Sequence, residues 1–105
     1  MATDTATSRA MGVVNFSTGQ LDPSDNTAVT VTVGFTPRHI ILVNEDLVER
    51  WEKFEGMAAA ACLKITSTTM SYDTDSAIVI NTDGTFTVSA TAAGNGDNLM
   101  WAAWG

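Results

Sequence analysis

Two side chains in this sequence have the chemistry of catalysis: a single histidine and a single cysteine. His39 begins an apolar segment, and Cys62 lies among small and apolar residues. Nucleophilic catalysis requires a nucleophile with a base beside it, and no motif places these two side chains together. We therefore expect no enzymatic activity. Cys62 is expected to be a small buried hydrophobe, and His39 a satisfied residue at a strand edge.

Carboxylates concentrate in the predicted turns of the second half of the chain. Asp73 and Asp75, with Asp83 and Asp97 further along, offer the oxygen ligands that Ca²⁺ prefers. Their spacing matches no complete calcium loop, and aspartate is common in turns because it hydrogen-bonds to nearby backbone. We therefore predict no metal and no other cofactor, and calcium at Asp73 and Asp75 stays open as the alternative. One cysteine also excludes an intrachain disulfide and a cysteine zinc site.

The third group of interest is the tryptophans, three in a chain of 105 residues. Tryptophan is enriched both in protein cores and in interface anchors. Trp101 and Trp104 lie three apart on a predicted strand, so they face opposite sides of the sheet unless a bulge intervenes. We expect two of the three tryptophans in the core. The candidate partner-binding residues are Trp51, Trp104 and Arg9.

Charge and hydropathy narrow the classes of partner. The net charge of −7, with only five scattered Lys and Arg residues, argues against nucleic acid. The longest apolar run, residues 57–63, falls far short of the roughly 20 residues of a membrane helix, so no membrane association is expected. The N-terminus has neither the basic region nor the apolar stretch of a signal peptide, which predicts synthesis in a cytoplasm.

The elements that must position these residues are predicted to be strands. Residues 27–33 alternate valine with threonine, a pattern typical of an antiparallel strand with one dry and one wet face. Residues 39–44 are apolar on both faces, which predicts a central, well-covered strand. Asp83-Gly84 between two apolar runs predicts a hairpin. Further strands are expected at 62–68, 77–80, 85–89 and 99–105, with polar connections at 20–26, 71–75 and 94–98.

The segment between Asn44 and Gly56 has two interpretations. In the first interpretation, residues 45–55 form a helix that Asn44 caps and Gly56 terminates, with Asp46–Arg50 as an i,i+4 pair. As a hairpin, residues 44–47 form the turn and 48–55 return as a strand. The local sequence supports the two interpretations about equally. The hairpin would make the whole domain β.

Domain organisation follows from these elements. Residues 1–10 contain no large apolar side chain after Met1 and are predicted to be a flexible N-terminal arm, and residues 11–105 a single β domain. Seven or eight short strands separated by turns predict an all-β fold, an antiparallel β-sandwich or small barrel of jelly-roll-like type.

Several segments together resemble the small virion structural proteins of tailed bacteriophages. Residues 33–44 carry a strand ending in Gly-Phe-Thr-Pro followed by a hydrophobic strand to Asn, and residues 50–57 carry a Trp/Phe-Glu-Gly-Met segment. Residues 82–88 and the Trp-containing stretch 99–104 also resemble that group. The resemblance covers roughly residues 27–105 and leaves out the arm.

The resemblance implies a β-sandwich of the capsid decoration or cement type, and it favours the hairpin between Asn44 and Gly56. Such a protein binds the major capsid protein on the outside of the phage head and stabilises the shell by bridging capsomers, often as a trimer. The expected location is the virion surface, with the arm, including Arg9, ordering on a neighbour. The alternative is a glycan- or receptor-binding β module of a phage tail or fibre, with Trp104 or Trp51 as a stacking platform.

Overall fold

The computed structural model describes residues 15–21, 27–94 and 97–105, and the predicted arm at residues 1–10 lies outside them. The described residues form nine strands and one short helix. Their bounds are β1 (Phe16–Leu21), β2 (Val29–Thr32), β3 (His39–Asn44), β4 (Glu49–Phe54), β5 (Cys62–Ile65), β6 (Met70–Asp73), β7 (Ile78–Ile80), β8 (Thr85–Val88), α1 (Ala90–Ala93) and β9 (Leu99–Trp104). Every strand pairing is antiparallel.

The strands form two sheets that enclose one hydrophobic core. The large sheet has the order β1-β9-β3-β4-β5-β6, and the small sheet has the order β2-β8-β7. Phe86 of the small sheet meets Trp101 of the large sheet edge-on, with ring centroids 5.5 Å apart. The all-β antiparallel sandwich predicted from the sequence is confirmed. Its core consists mainly of Val31, Ile40, Leu42, Trp51, Cys62, Ile78, Phe86, Val88, Leu99, Trp101 and Ala103.

The valine–threonine strand shows how residue pattern becomes a sheet face. In β2, Val31 is buried against the large sheet, whereas Thr30 and Thr32 are exposed. β-Branched side chains suit a pleated surface of this kind, and their alternation fixes which face is dry. The strand prediction for residues 27–33 is therefore confirmed in its central part.

Residues 45–55 form a turn and a strand, so the helix considered for this segment is wrong. Asn44 nucleates the turn, because its side-chain Oδ1 accepts the N–H groups of Asp46 and Leu47, each at 3.0 Å. In β4 the buried residues are Trp51 and Lys53, two apart, which is the period of a strand and not of a helix. The ladder between β3 and β4 satisfies the backbone that a helix would have bonded internally.

The Asp-Gly hairpin prediction is confirmed between β7 and β8. Gly84 has a φ of 84°, a conformation that glycine adopts without steric cost. Asn81 N–H donates to the carbonyl of Thr85 at 3.0 Å and closes the turn. The Gly84 carbonyl also accepts the N–H groups of Val33 and Gly34, which ties the end of β2 to this hairpin.

Two local predictions are corrected by the structure, and one element was not predicted. The expected polar connection at 71–75 begins with β6, paired to β5 through a tight turn at residues 66–69. Leu21, expected in a turn, ends β1. The helix α1 had no expected counterpart, and it begins where the Ser89 hydroxyl oxygen accepts the N–H of Ala92 at 3.2 Å.

Candidate functional site

The two residues with catalytic chemistry lie on opposite faces of the large sheet. His39 pairs with Phe54 on the face that points away from the core, whereas Cys62 belongs to the buried face. Burial raises the pKa of the Cys62 thiol, and the nearby Asp73 carboxylate raises it further. A thiol held in its neutral form without a base is a poor nucleophile. The geometry therefore separates His39 from Cys62, and Cys62 is the buried hydrophobe expected of it.

The carboxylates considered for calcium have separate structural partners. Asp73 Oδ1 accepts the N–H of Asp75 at 2.8 Å, which is the local turn bond that aspartate commonly makes. Asp83 accepts the Thr85 hydroxyl, and Asp97 accepts the side-chain amide of Asn44. Across residues 15–21, 27–94 and 97–105, no three His, Cys, Asp or Glu side chains come together as metal ligands.

Lys53 forms a buried polar centre that the sequence did not indicate. It is 2% exposed, and its Nζ donates to the carbonyls of Ala58, Ala59 and Ala61 at 2.6, 3.1 and 2.6 Å. Burial lowers the pKa of the Lys53 amine. These bonds hold the loop between β4 and β5 in place, so the role of Lys53 is structural.

The face of the large sheet that points away from the core, here called the outer face, carries a row of aromatic rings. Phe16, Trp104, His39 and Phe54 are directly paired neighbours across β1, β9, β3 and β4. His39 is stacked between Phe54 at 4.2 Å and Trp104 at 5.0 Å, measured between ring centroids. Phe16 lies tilted against Trp104 at 5.3 Å. Four rings therefore form a continuous ridge across one end of the face.

The rest of the outer face is also largely apolar. Of the seven exposed large hydrophobic residues among those described, five belong to this face by strand register: Phe16, Phe54, Met70, Tyr72 and Met100. Between them lie the half-buried side chains of Ile41, Val43, Leu63, Ile65 and Ala102. No element among the described residues packs over them as a second layer. The exposed large hydrophobic residues of the described part of the chain are therefore concentrated on this one face.

Charges on the outer face are few and balanced. Glu52 lies 3.4 Å from the Arg50 guanidinium and 3.5 Å from His39 Nε2. Such partly exposed pairs contribute little to stability. Their effect here is to neutralise the face, in contrast to the net charge of −7 of the whole chain.

Two shallow hollows interrupt this surface. One, of about 470 Å³, is lined by Val43, Val48 and Ile65 together with polar groups at its rim. The other, of about 210 Å³, is lined by Ile41, Val43, Met100 and Ala102. Apolar side chains of a partner protein can pack into such hollows.

The three predicted partner-binding residues lie in different parts of the chain's structure or outside its described residues. Trp51 is 2% exposed in the core, so the surface role proposed for it is wrong: its position in β4 points inward. Trp104 lies on the outer face while Trp101 points into the core, which confirms that the two face opposite sides. The ring of Trp104 stacks on His39 and lies tilted against Phe16. Arg9 lies outside the described residues.

One signal in the sequence does point to the outer face. Residues 39–44 are apolar on both faces, which predicted a central strand covered on both sides. The chain covers Ile40 and Leu42, whereas Ile41 and Val43 on the other side of β3 are only half-buried. The second cover that the pattern predicts is therefore missing from the described part of the chain.

Comparison with known proteins adds no relative to this picture. No family model, no curated protein and no solved structure matches the chain. Among the described residues, no helix has the length and apolar character needed to cross a membrane.

Proposed function

We propose that this chain is a non-enzymatic virion structural protein, a capsid decoration or cement protein that docks on the outside of a phage head. The observation that carries the proposal is the apolar, charge-balanced outer face of the large sheet. It supports a protein partner, because apolar patches of this kind mark protein–protein interaction sites. The phage head as the partner comes from the sequence resemblance described above.

The size of the outer face suits a stable protein interface. Four six-residue strands about 20 Å long and two four-residue strands about 13 Å long, spaced about 4.8 Å apart, give a face of roughly 510 Å² in projection. A standard interface buries roughly 800 Å² per partner, so the outer face would supply more than half of one. The aromatic ridge and the two hollows give the outer face a shape that a partner surface can complement.

On a phage head, this arrangement would stabilise the shell by binding to it. Each copy buries its outer face against the major capsid protein, and contacts that cross a boundary between capsomers oppose their separation. The apolar burial supplies the free energy of attachment, while the acidic remainder of the surface keeps the unbound protein soluble.

A binding assay on undecorated heads of the cognate phage tests this function. Adding purified protein should give saturable, stoichiometric binding and raise the temperature at which the heads open. Met100→Lys places a charge on the outer face, beside the hollow lined by Ile41, Val43 and Ala102, and should weaken binding about tenfold or more, because the ammonium must be desolvated in the interface.

Thr30→Lys is the matched control, since Thr30 is exposed on the small sheet and receives the same charge away from the outer face. It should bind as the unmodified protein does. Absence of binding by the unmodified protein rejects the decoration function, and equal binding by the Met100→Lys variant rejects the outer face as the docking surface.

A further inference from the structure

The outermost strand of the large sheet, β6, has an edge that no strand in the described part of the chain pairs with. Its residues Met70, Ser71 and Tyr72 are uncharged, and the side chains of Met70 and Tyr72 are 67% and 60% exposed. Natural sheets usually protect such edges with charges, prolines or bulges, because an open edge recruits another strand. Of the residues in β6, only Asp73 is charged.

The hydrogen-bond pattern shows which backbone groups at this edge are free. The N–H of Thr66 donates to the carbonyl of Thr69 at 2.8 Å, so this pair is a hydrogen-bonded pair of the β5–β6 ladder. Bonded and non-bonded pairs alternate along an antiparallel ladder. Ser71 therefore bonds to β5, and the N–H and C=O groups of Met70 and Tyr72 point away from the sheet.

We propose that two copies of this chain associate through their β6 edges in antiparallel fashion, about a two-fold axis at Ser71. In this register Ser71 faces Ser71 of the second copy as a non-hydrogen-bonded pair. Met70 faces Tyr72 of the second copy on each side, and both pairs exchange two N–H to C=O bonds. Every free backbone group of Met70 and Tyr72 then has a partner.

The occupant is a second copy because β6 complements itself in this register. Met70 and Tyr72 flank Ser71 symmetrically, so each exposed apolar side chain packs beside one from the other copy on the outer face. Asp73 falls opposite Thr69 of the second copy, which keeps the two Asp73 carboxylates out of direct opposition. The result is one continuous sheet with six strands from each copy, whose outer faces join into a single surface.

This contact is separate from the proposed attachment to a phage head and from any three-fold contact that the resemblance implies. It uses the edge of the large sheet, whereas docking uses its face. It also predicts a salt dependence: because each copy carries a charge of −7, added salt screens the repulsion and should increase the dimer fraction.

A disulfide-trapping experiment tests the register. Residues in a non-hydrogen-bonded antiparallel pair have Cα atoms about 4.5 Å apart, within the range that a disulfide spans. The variant Ser71→Cys should therefore give a reducible dimer under mild oxidation, while the buried Cys62 stays reduced. Tyr72→Cys is the matched control: its two copies are offset by two residues, and the resulting Cα separation of about 8 Å exceeds disulfide reach.

Sedimentation of the unmodified protein over a concentration series gives the second measurement. It should show a reversible monomer–dimer equilibrium. Tyr72→Pro removes an outward N–H without removing any bond to β5, so this variant should stay folded by circular dichroism and sediment as a monomer. Met100→Lys should leave the dimer intact, which separates a failure of docking from a failure of edge pairing.

Specific outcomes overturn the inference. A monomer at every concentration together with no disulfide in Ser71→Cys rejects the dimer. Equal cross-linking of Tyr72→Cys rejects the register, and a trimer unaffected by Tyr72→Pro rejects β6 as the contact.

Discussion

Replacing Lys53 by methionine removes a donor that bonds to three carbonyls of the β4–β5 loop, of which the Ala58 carbonyl also accepts the N–H of Ala61 at 2.9 Å. The Nζ of Lys53 lies 2.6, 3.1 and 2.6 Å from the carbonyl oxygens of Ala58, Ala59 and Ala61. Methionine ends one atom short of the lysine Nζ, so it fills most of the same space and removes only the amine. A hydrogen bond from a charged group contributes about 1.5–3 kcal/mol, which gives a gross loss of roughly 4–9 kcal/mol.

Two effects reduce that loss. Burial disfavours the charged amine, as the lowered pKa of Lys53 shows, and the methionine variant avoids this cost. The carbonyls of Ala58 and Ala59 are bonded in a partly exposed setting, so water replaces the amine there, whereas the bond to Ala61 is fully buried. We therefore expect Lys53→Met to lower the free energy of unfolding by about 3 kcal/mol.

Urea denaturation followed by tryptophan fluorescence measures the change, and thermal unfolding should show a fall of about 12–24 °C in Tm for a domain of this size. Lys64→Met is the control: Lys64 is 30% exposed at its side chain, lies 3.8 Å from Glu49, and should contribute under about 1 kcal/mol. A loss below about 1 kcal/mol for Lys53→Met, or an equal loss for both variants, would refute the proposed role of Lys53.

Three further predictions concern the fold. Asn44→Ala should lower the free energy of unfolding by about 2–4 kcal/mol in urea titration, because the Asn44 side chain makes two hydrogen bonds within the β3–β4 turn and two more to Ala92 and Asp97; a change under 1 kcal/mol contradicts this. Cys62 should resist thiol reagents at pH 8 until urea unfolds the chain. The pKa of the Cys62 thiol is raised in the folded state. The contribution of this thiol to the free energy of unfolding is therefore complete below the pKa of the unfolded-state thiol, and it is lost as pH rises through the folded-state pKa. Cys62→Ala should flatten the curve of stability against pH between these two pKa values. Gly19→Ala should destabilise the fold by about 1–3 kcal/mol, since the added Cβ would lie 2.8 Å from the Trp101 ring, and unchanged unfolding and fluorescence would contradict this contact.

The strands that the sequence predicted well are those whose signal is local. The apolar run at 39–44 and the Asp-Gly turn at 83–84 each carry their information within a few residues, and the strand and the turn form where they were predicted. The strand β6 was missed because its residues are polar or exposed and, within the described part of the chain, it pairs with β5 alone. Lys53 was missed because a lysine fits the buried face only when the following loop offers carbonyls to bind it.

The candidate binding surface was predictable only in part. The opposite orientation of Trp101 and Trp104 follows from strand alternation, and the two-sided apolar character of β3 indicated an additional cover. The aromatic ridge, by contrast, depends on register: Phe16 comes from one end of the chain, Trp104 from the other, and Phe54 from the middle. Spacing along the sequence does not determine which residues become neighbours across strands, so the ridge emerges only from the assembled sheet.

The unequal placement of the three tryptophans gives the protein an optical reporter of its own binding. Trp51 and Trp101 are 2% and 7% exposed, so a quencher such as acrylamide reaches them poorly, whereas Trp104 lies half-buried in the outer face. A partner that covers this face therefore reduces quenching at Trp104 and leaves the other two emissions unchanged. Docking becomes measurable in solution without a label, and a Trp104→Phe variant supplies the background signal of the two core indoles.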